Sequence, residues 1–185
     1  VVEPLIGNGA VLRQAAGPNW THITLNGAEG RPLADQAVRQ AIFRAIDREE
    51  VFLSVNATMP YPENTEPLNN HLLMTNQEGY QDNSTSWGHD VEAAKKLLAE
   101  AGFPQGFRLT LHSPNDRYPN DAKTAQAVAQ MWTRIGVRTA VEAQTWSTFV
   151  GRASRQEYSA FLIGWSTTSG EGSNPLRNLT ATFDR

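Results

Sequence analysis

The fold of this chain is decided by residues 107–165, which read FRLTLHSPNDRYPNDAKTAQAVAQMWTRIGVRTAVEAQTWSTFVGRASRQEYSAFLIGW. Three segments within this stretch have the short apolar or alternating pattern of β-strands, at residues 107–111, 137–143 and 160–165. The last of them is nearly all apolar, which is typical of a strand that is covered on both faces of its sheet.

Two helical patterns separate these strands. Asn120 or Asp121 caps the first, whose apolar residues recur at helical spacing until Gly136 ends it. The second covers residues 147–154 and turns Phe149 inward. Because strands and helices alternate, the sequence predicts a right-handed α/β unit with a largely parallel sheet flanked by helices.

The pattern upstream of this unit is less regular. Residues 18–26 alternate as a strand, Asp35 caps an amphipathic helix, and Asp90 caps another that stops at Gly102. Residues 56–88 contain three prolines and many Asn, Ser and Thr, which predicts a long irregular excursion. So long a loop in a compact domain is usually functional or packs on a partner.

Composition excludes several classes of function. A net charge of −3 and a pI near 5.8 argue against a nucleic-acid partner, because phosphate backbones are bound by basic faces. The absence of cysteine excludes disulfides, thiolate metal sites and thiol catalysis. No two histidines stand four apart on a predicted helix, so we expect neither a zinc-protease site nor any other metal or cofactor.

The chain begins Val1-Val2-Glu3, which is neither a signal peptide nor an initiator methionine. We therefore expect residues 1–185 to form one α/β lobe taken from a larger protein. A single lobe of this length is large enough to bury a core of its own.

Ligands of open α/β sheets bind outside the carboxyl ends of the strands. Three predicted loops lie there, at residues 113–119, 144–146 and 164–174. The third loop combines Trp165, a broad apolar ring with an N–H donor, with several glycines and hydroxyl side chains. This combination suits a small polar ligand.

Two other classes of function remain open from the residues alone. His112 with Asp116 or Glu171 would suit a small α/β hydrolase or transferase domain. A protein-interaction domain would use the excursion at residues 56–88 as its contact surface.

Four ordered segments resemble the peptide/nickel class of solute-binding proteins of ABC importers, the family 5 extracellular solute-binding proteins. They are DQAVRQAI at 35–42, DVEAAKKLLAEAGFP at 90–104, QAVAQMWTRIGV at 126–137, and GW at 164–165 after an apolar strand. The resemblance runs from about Asn26 to the end of the chain. It implies a type II periplasmic-binding-protein-like lobe, the second of two lobes that close on a short peptide or related small polar solute.

The resemblance further implies a permease partner in the membrane, a periplasmic location or a lipoprotein anchored outside a Gram-positive cell, and a binding protein, not an enzyme. The missing first lobe would complete the cleft. The ligand-binding residues expected on this lobe are Trp165, Thr167, Thr168, Ser169, Glu171, Asn115, Tyr118 and Trp146. Trp146 stands at the end of a strand but also heads a helix that must pack, so either a core or a ligand role fits it.

One position departs from the pattern of peptide-binding members. They carry an aspartate three residues after the tryptophan, where it pairs with the α-ammonium of the peptide; here that residue is Thr168. Threonine cannot supply a charge-assisted bond of that kind. The departure favours a sugar, an opine-like or otherwise modified amino acid, or a blocked peptide, with Glu171 available for a cationic group.

Overall fold

The computed structural model describes residues 19–56, 88–166, 173–175 and 177. The strands are β1 (Asn19–Leu25), β2 (Arg108–Pro114), β3 (Arg138–Gln144) and β4 (Ala160–Ser166). The helices are α1 (Gln36–Arg44), α2 (Arg48–Asn56), α3 (Val91–Glu100), α4 (Asp121–Arg134) and α5 (Trp146–Ser154). Short helical turns lie at Pro32–Ala34 and Ser173–Pro175.

The described strands form one sheet in the order β1-β4-β2-β3. β2 pairs in parallel with β3 and with β4, whereas β1 pairs antiparallel to β4. The largely parallel sheet expected from the sequence is therefore confirmed, with an antiparallel strand at one edge. The carboxyl ends of β2, β3 and β4 lie at the same edge of the sheet, which we call the carboxyl edge.

The larger core lies between one face of the sheet and helices α1 to α4. Alternate strand residues point into it, among them Leu109, Leu111, Ala160 and Leu162. Trp132 of α4 is fully buried there, and its indole N–H donates to Ile42 O at 3.1 Å. The amphipathic stripes of α1 and α4 therefore pack against each other as well as against the sheet.

A smaller apolar cluster covers the other face. It is built by Phe149, Ala153 and Tyr158, against which Trp146, Phe161 and Ile163 pack. Helix α5 covers this face because its inward residues meet the odd-numbered residues of β4. The cluster reaches the carboxyl edge through Trp146, the first residue of α5.

The helix ends follow the predicted signals in most cases. Asp35 accepts a hydrogen bond from Ala37 N at 2.7 Å, and Asp90 accepts one from Ala93 N at 2.8 Å. Gly102 and Gly136 have φ values of 88° and 95°, as left-handed helix stops require. These elements begin and end where local chemistry places them.

Two elements differ from the sequence-based expectation. The sequence did not predict α2, whose first turn contains Glu49 and Glu50. Its apolar pattern is weak, and Leu53 on it is 59% exposed. β2 extends to Pro114, so the loop expected at residues 113–119 begins only after that residue. Asn56, the first residue of the excursion predicted at residues 56–88, is the last residue of α2, and residues 57–87 lie outside the described residues.

No helix in the described ranges is both long and apolar enough to cross a membrane.

Candidate functional site

The carboxyl edge brings two of the predicted loops together. Asn115 N donates to Gln144 O at 2.9 Å, which continues the β2–β3 pairing by one residue. Asp116 Oδ1 then accepts a hydrogen bond from Trp146 N at 2.7 Å. A carboxylate from the loop after β2 thus satisfies a free N–H group at the start of α5, where the helix dipole also favours a negative charge. Asn115 itself is exposed at this edge.

Tyr118 lies across the end of β4. Its hydroxyl donates to Gly164 O at 3.3 Å, and its ring meets the Trp146 ring edge-on with centroids 6.0 Å apart. A Cβ atom at position 164 would lie 2.5 Å from Tyr118 Cε1, so only glycine leaves room for the ring. The side chain is half-buried, with the rest of its surface at the carboxyl edge.

Trp146 packs in the smaller cluster and also contacts the loop after β2. Its ring stacks on Phe149 at a centroid distance of 5.8 Å, which ties it to the smaller cluster. The guanidinium of Arg117 lies 5.1 Å from its ring centroid and 5.9 Å from that of Tyr118. An exposed cation held over aromatic rings at the mouth of a site is stabilised by their quadrupoles and can also meet an anionic ligand group.

Trp165 is half-buried at the end of β4. Its indole N–H donates to Asn174 Oδ1 at 3.2 Å, so the polar handle expected for a ligand is engaged within the chain. Thr167, Thr168, Ser169 and Glu171 lie outside the described residues.

His112 does not pair with Asp116, the first of the two acidic partners considered for an enzyme; the second, Glu171, lies outside the described residues. It is 8% exposed in the middle of the sheet and stacks on Tyr158 at 3.9 Å between ring centroids. Its Nδ1 lies 3.5 Å from Glu142 Oε2 without a hydrogen bond, whereas Asp116 is engaged with α5. Burial lowers the pKa of His112, Glu142 opposes that shift, and the positive charge of Arg152 adds to it.

The imidazole of His112 is thus buried against Tyr158 and is not presented on the surface of the carboxyl edge. In the described ranges, no group of three or more His, Cys, Asp or Glu side chains is placed to hold a metal ion. The described part of this edge carries polar and aromatic side chains.

Residues 3–185 match the profile described as "Bacterial extracellular solute-binding proteins, family 5 Middle". The chain belongs to this family of solute-binding proteins.

Curated relatives agree with this assignment. The oligopeptide-binding protein OppA of Mycobacterium tuberculosis is 34% identical over 149 residues, which is 76% of this chain and 25% of that protein. The heme-binding protein A of Haemophilus influenzae is 31% identical over 174 residues, 91% of this chain and 30% of that protein. The chain thus spans about a quarter to a third of the length of these relatives.

Solved structures share the fold. The periplasmic binding protein DppA from Helicobacter pylori, in complex with the peptide STSA, has a TM-score of 0.77 and 25% identity over 90% of this chain and 30% of its own. The protein AgaA from A. tumefaciens, in complex with agropinic acid, has a TM-score of 0.69 and 26% identity over 82% of this chain and 30% of its own. The α/β periplasmic-binding-protein fold predicted from the sequence is therefore confirmed.

The sequence did not single out Arg117, which lies at the candidate site, or Asp121, which supports its loop. Arg117 lies within a loop that was already singled out, next to the aromatic Tyr118, and that adjacency was the available signal. Asp121 was considered only as a helix cap. The structure instead directs its carboxylate into the loop, where it accepts from Arg117 N at 3.2 Å and Tyr118 N at 3.1 Å.

Proposed function

We propose that this chain forms one lobe of a solute-binding protein that delivers a small polar solute to an ABC importer. The carboxyl edge would be its half of a cleft, and a second lobe of the same protein would close over the solute. Such closure is a shift in population driven by ligand contacts on both lobes. The closed form would dock on a membrane permease, outside the cytoplasmic membrane.

The observation that carries this proposal is the joining of Arg117, Tyr118 and Trp146 at the carboxyl edge. The aromatic rings offer flat apolar contact, and the guanidinium offers charge-assisted bonds to a carboxylate or another anionic group. The backbone atoms around them are fixed by the β2–β3 pairing and by Asp116. A binding surface of this kind suits a solute that has an acidic group and an apolar part.

Thr168 supports a narrower choice of solute. Since threonine stands where peptide-binding members carry the amine-pairing aspartate, we propose that the solute is held without an ion pair to an α-ammonium at this position. Blocked peptides, opines and modified amino acids meet that condition. Trp165, Thr167, Ser169 and Glu171 are proposed to complete the contacts, with Asn115 at the rim.

The test is calorimetric titration of the full-length protein with a panel of four compounds. The panel contains Ser-Thr-Ser-Ala, its N-acetylated form, Met-Leu and agropinic acid. We expect at least one compound to bind, and acetylation of the tetrapeptide to change its Kd by less than about threefold, because no charged bond is lost. An acetylated peptide that binds more than about tenfold weaker would refute the choice of solute.

A matched pair of variants tests the site. Arg117→Gln removes the cation at the carboxyl edge, whereas Arg108→Gln makes the same change at the opposite end of β2. We expect the first variant to raise Kd about tenfold or more and the second to leave it unchanged. Equal effects of the two variants would contradict the proposed site, and a parent protein that binds nothing in the panel would contradict the proposed function.

A further inference from the structure

The side chain of Asp121 is buried and contacts the loop between β2 and α4. It is 4% exposed at the first position of α4. Its Oδ2 accepts from the backbone N–H groups of Arg117 and Tyr118 at 3.2 and 3.1 Å, and its Oδ1 accepts from Ala122 N at 2.8 Å. A carboxylate is costly to bury, and backbone N–H groups here offset that cost.

The loop is held from a second direction by Asn120. This residue has a φ of 55°, in the left-handed region, and its Nδ2 donates to Val55 O at 2.9 Å. Asn120 thereby joins the start of α4 to the end of α2, and it does not cap α4 with its side chain. The Asp121 carboxylate thus holds residues 117 and 118 to the start of α4, and Asn120 holds the start of α4 to a distant part of the chain.

The two N–H groups that Asp121 accepts belong to the residues whose side chains form the candidate site. Tyr118 bonds to Gly164 O and meets the Trp146 ring, and the Arg117 guanidinium lies over that ring. Fixing the two backbone positions limits where these side chains can go. Asp121 therefore acts on the site through Arg117 and Tyr118, without itself reaching the carboxyl edge.

We propose that Asp121 is a positioning residue of the solute site, which holds Arg117 and Tyr118 in their binding geometry before the solute arrives. The inference rests on the proposed function, because it assigns a role within that site. Its physical basis is preorganisation: a loop that is already ordered loses less conformational freedom when the solute binds. Loosening the loop should therefore weaken binding even though no direct solute contact is removed.

The experiment compares Asp121→Asn and Asp121→Ala with Asp90→Asn and Asp90→Ala in the full-length protein. Asp90 is a matched control because its carboxylate also accepts a backbone N–H at a helix start, in α3, away from the carboxyl edge. Three quantities are measured: the Kd for each compound of the panel, the melting temperature, and hydrogen–deuterium exchange over residues 115–120 by mass spectrometry.

We expect exchange over residues 115–120 to accelerate in both Asp121 variants and in neither Asp90 variant. Kd should rise about tenfold in Asp121→Ala and less in Asp121→Asn, which keeps one acceptor oxygen, while the Asp90 variants bind as the parent does. Because the Asp90 variants also lose a helix cap, they show what loss of stability alone does to Kd. The graded effect of the two Asp121 variants keeps the test informative if the alanine variant does not fold.

Three results would overturn the inference. Faster exchange with an unchanged Kd would show that loop order does not matter for binding. Unchanged exchange would show that Asp121 does not hold the loop. A parent protein that binds no compound of the panel would remove the proposed function and this role with it, whereas a binding parent with unaffected Asp121 variants would remove this role alone.

Discussion

Replacing Gly164 by alanine should displace Tyr118 from the end of β4. A Cβ atom at this position would lie 2.5 Å from Tyr118 Cε1 and 2.9 Å from both Cδ1 and Cζ. These distances are far below van der Waals contact, and the atoms belong to a side chain that can rotate away. We therefore expect the ring to move and the strand to stay in place.

The cost of this displacement can be worked from the contacts that the ring loses. The hydrogen bond from the Tyr118 hydroxyl to Gly164 O is worth about 1 kcal/mol, and the edge contact with Trp146 about 0.5–1.5 kcal/mol. Alanine in a strand raises the unfolding free energy by about 0.5–1 kcal/mol relative to glycine, because it leaves the unfolded chain fewer conformations. The expected net loss of unfolding free energy is about 0.5–2 kcal/mol.

The assay is urea unfolding followed by circular dichroism, arranged as a double-mutant cycle with Tyr118→Ala. Without the ring, Gly164→Ala should be neutral or slightly stabilising, so the coupling free energy should be about 2 kcal/mol. Gly151→Ala in α5 is the control, because its added Cβ would only come within 3.5 Å of Arg155 Nη1. Equal costs of Gly164→Ala with and without the Tyr118 ring would refute the reasoning.

Three further predictions concern the rest of the chain. His22 is half-buried and burial lowers its pKa from 6.5 to about 4, so unfolding binds a proton and stability should fall as the pH drops from 6.5 to 4. The unfolding free energy, measured with urea, should fall by about 2–3 kcal/mol over this pH range, and by less in the His22→Phe variant. Equal slopes of unfolding free energy against pH in the two proteins would contradict the prediction. Trp132→Phe should lower the unfolding free energy by about 2 kcal/mol, because the indole hydrogen bond to Ile42 O and part of the ring packing are lost. An unchanged thermal melt would contradict the placement of Trp132 in the core. Arg134→Gln breaks an exposed pair with Glu50, so the urea midpoint should not move, and a clear shift would disprove this expectation.

Local signals in the sequence predicted most of the fold. Asp35 and Asp90 cap their helices, and Gly102 and Gly136 end theirs, because each signal acts within one turn of its own residue. The parallel sheet followed from the alternation of strands and helices. Helix α2 was missed because Leu53 is exposed, which leaves no clear apolar stripe for the sequence to show.

The candidate site could be predicted less well, since its contacts join residues that are distant in sequence. Tyr118 meets Gly164, and Asp116 meets Trp146, only after β2, β3 and β4 have aligned their carboxyl ends. The sequence identified the loops because strand ends can be recognised locally. It did not indicate that Asp121 would turn its carboxylate into the loop, because a helix cap has the same local pattern.

The most direct test of the central claim is hydrogen–deuterium exchange of the full-length protein with and without a compound of the panel that binds. We predict that the solute slows exchange at residues 115–119, 144–148 and 164–166, which lie at the carboxyl edge of the sheet. Residues 102–107 and 135–138, at the opposite edge, should exchange at the same rate in both samples. Protection at the opposite edge, or none anywhere in this chain while the protein binds the solute, would contradict the claim.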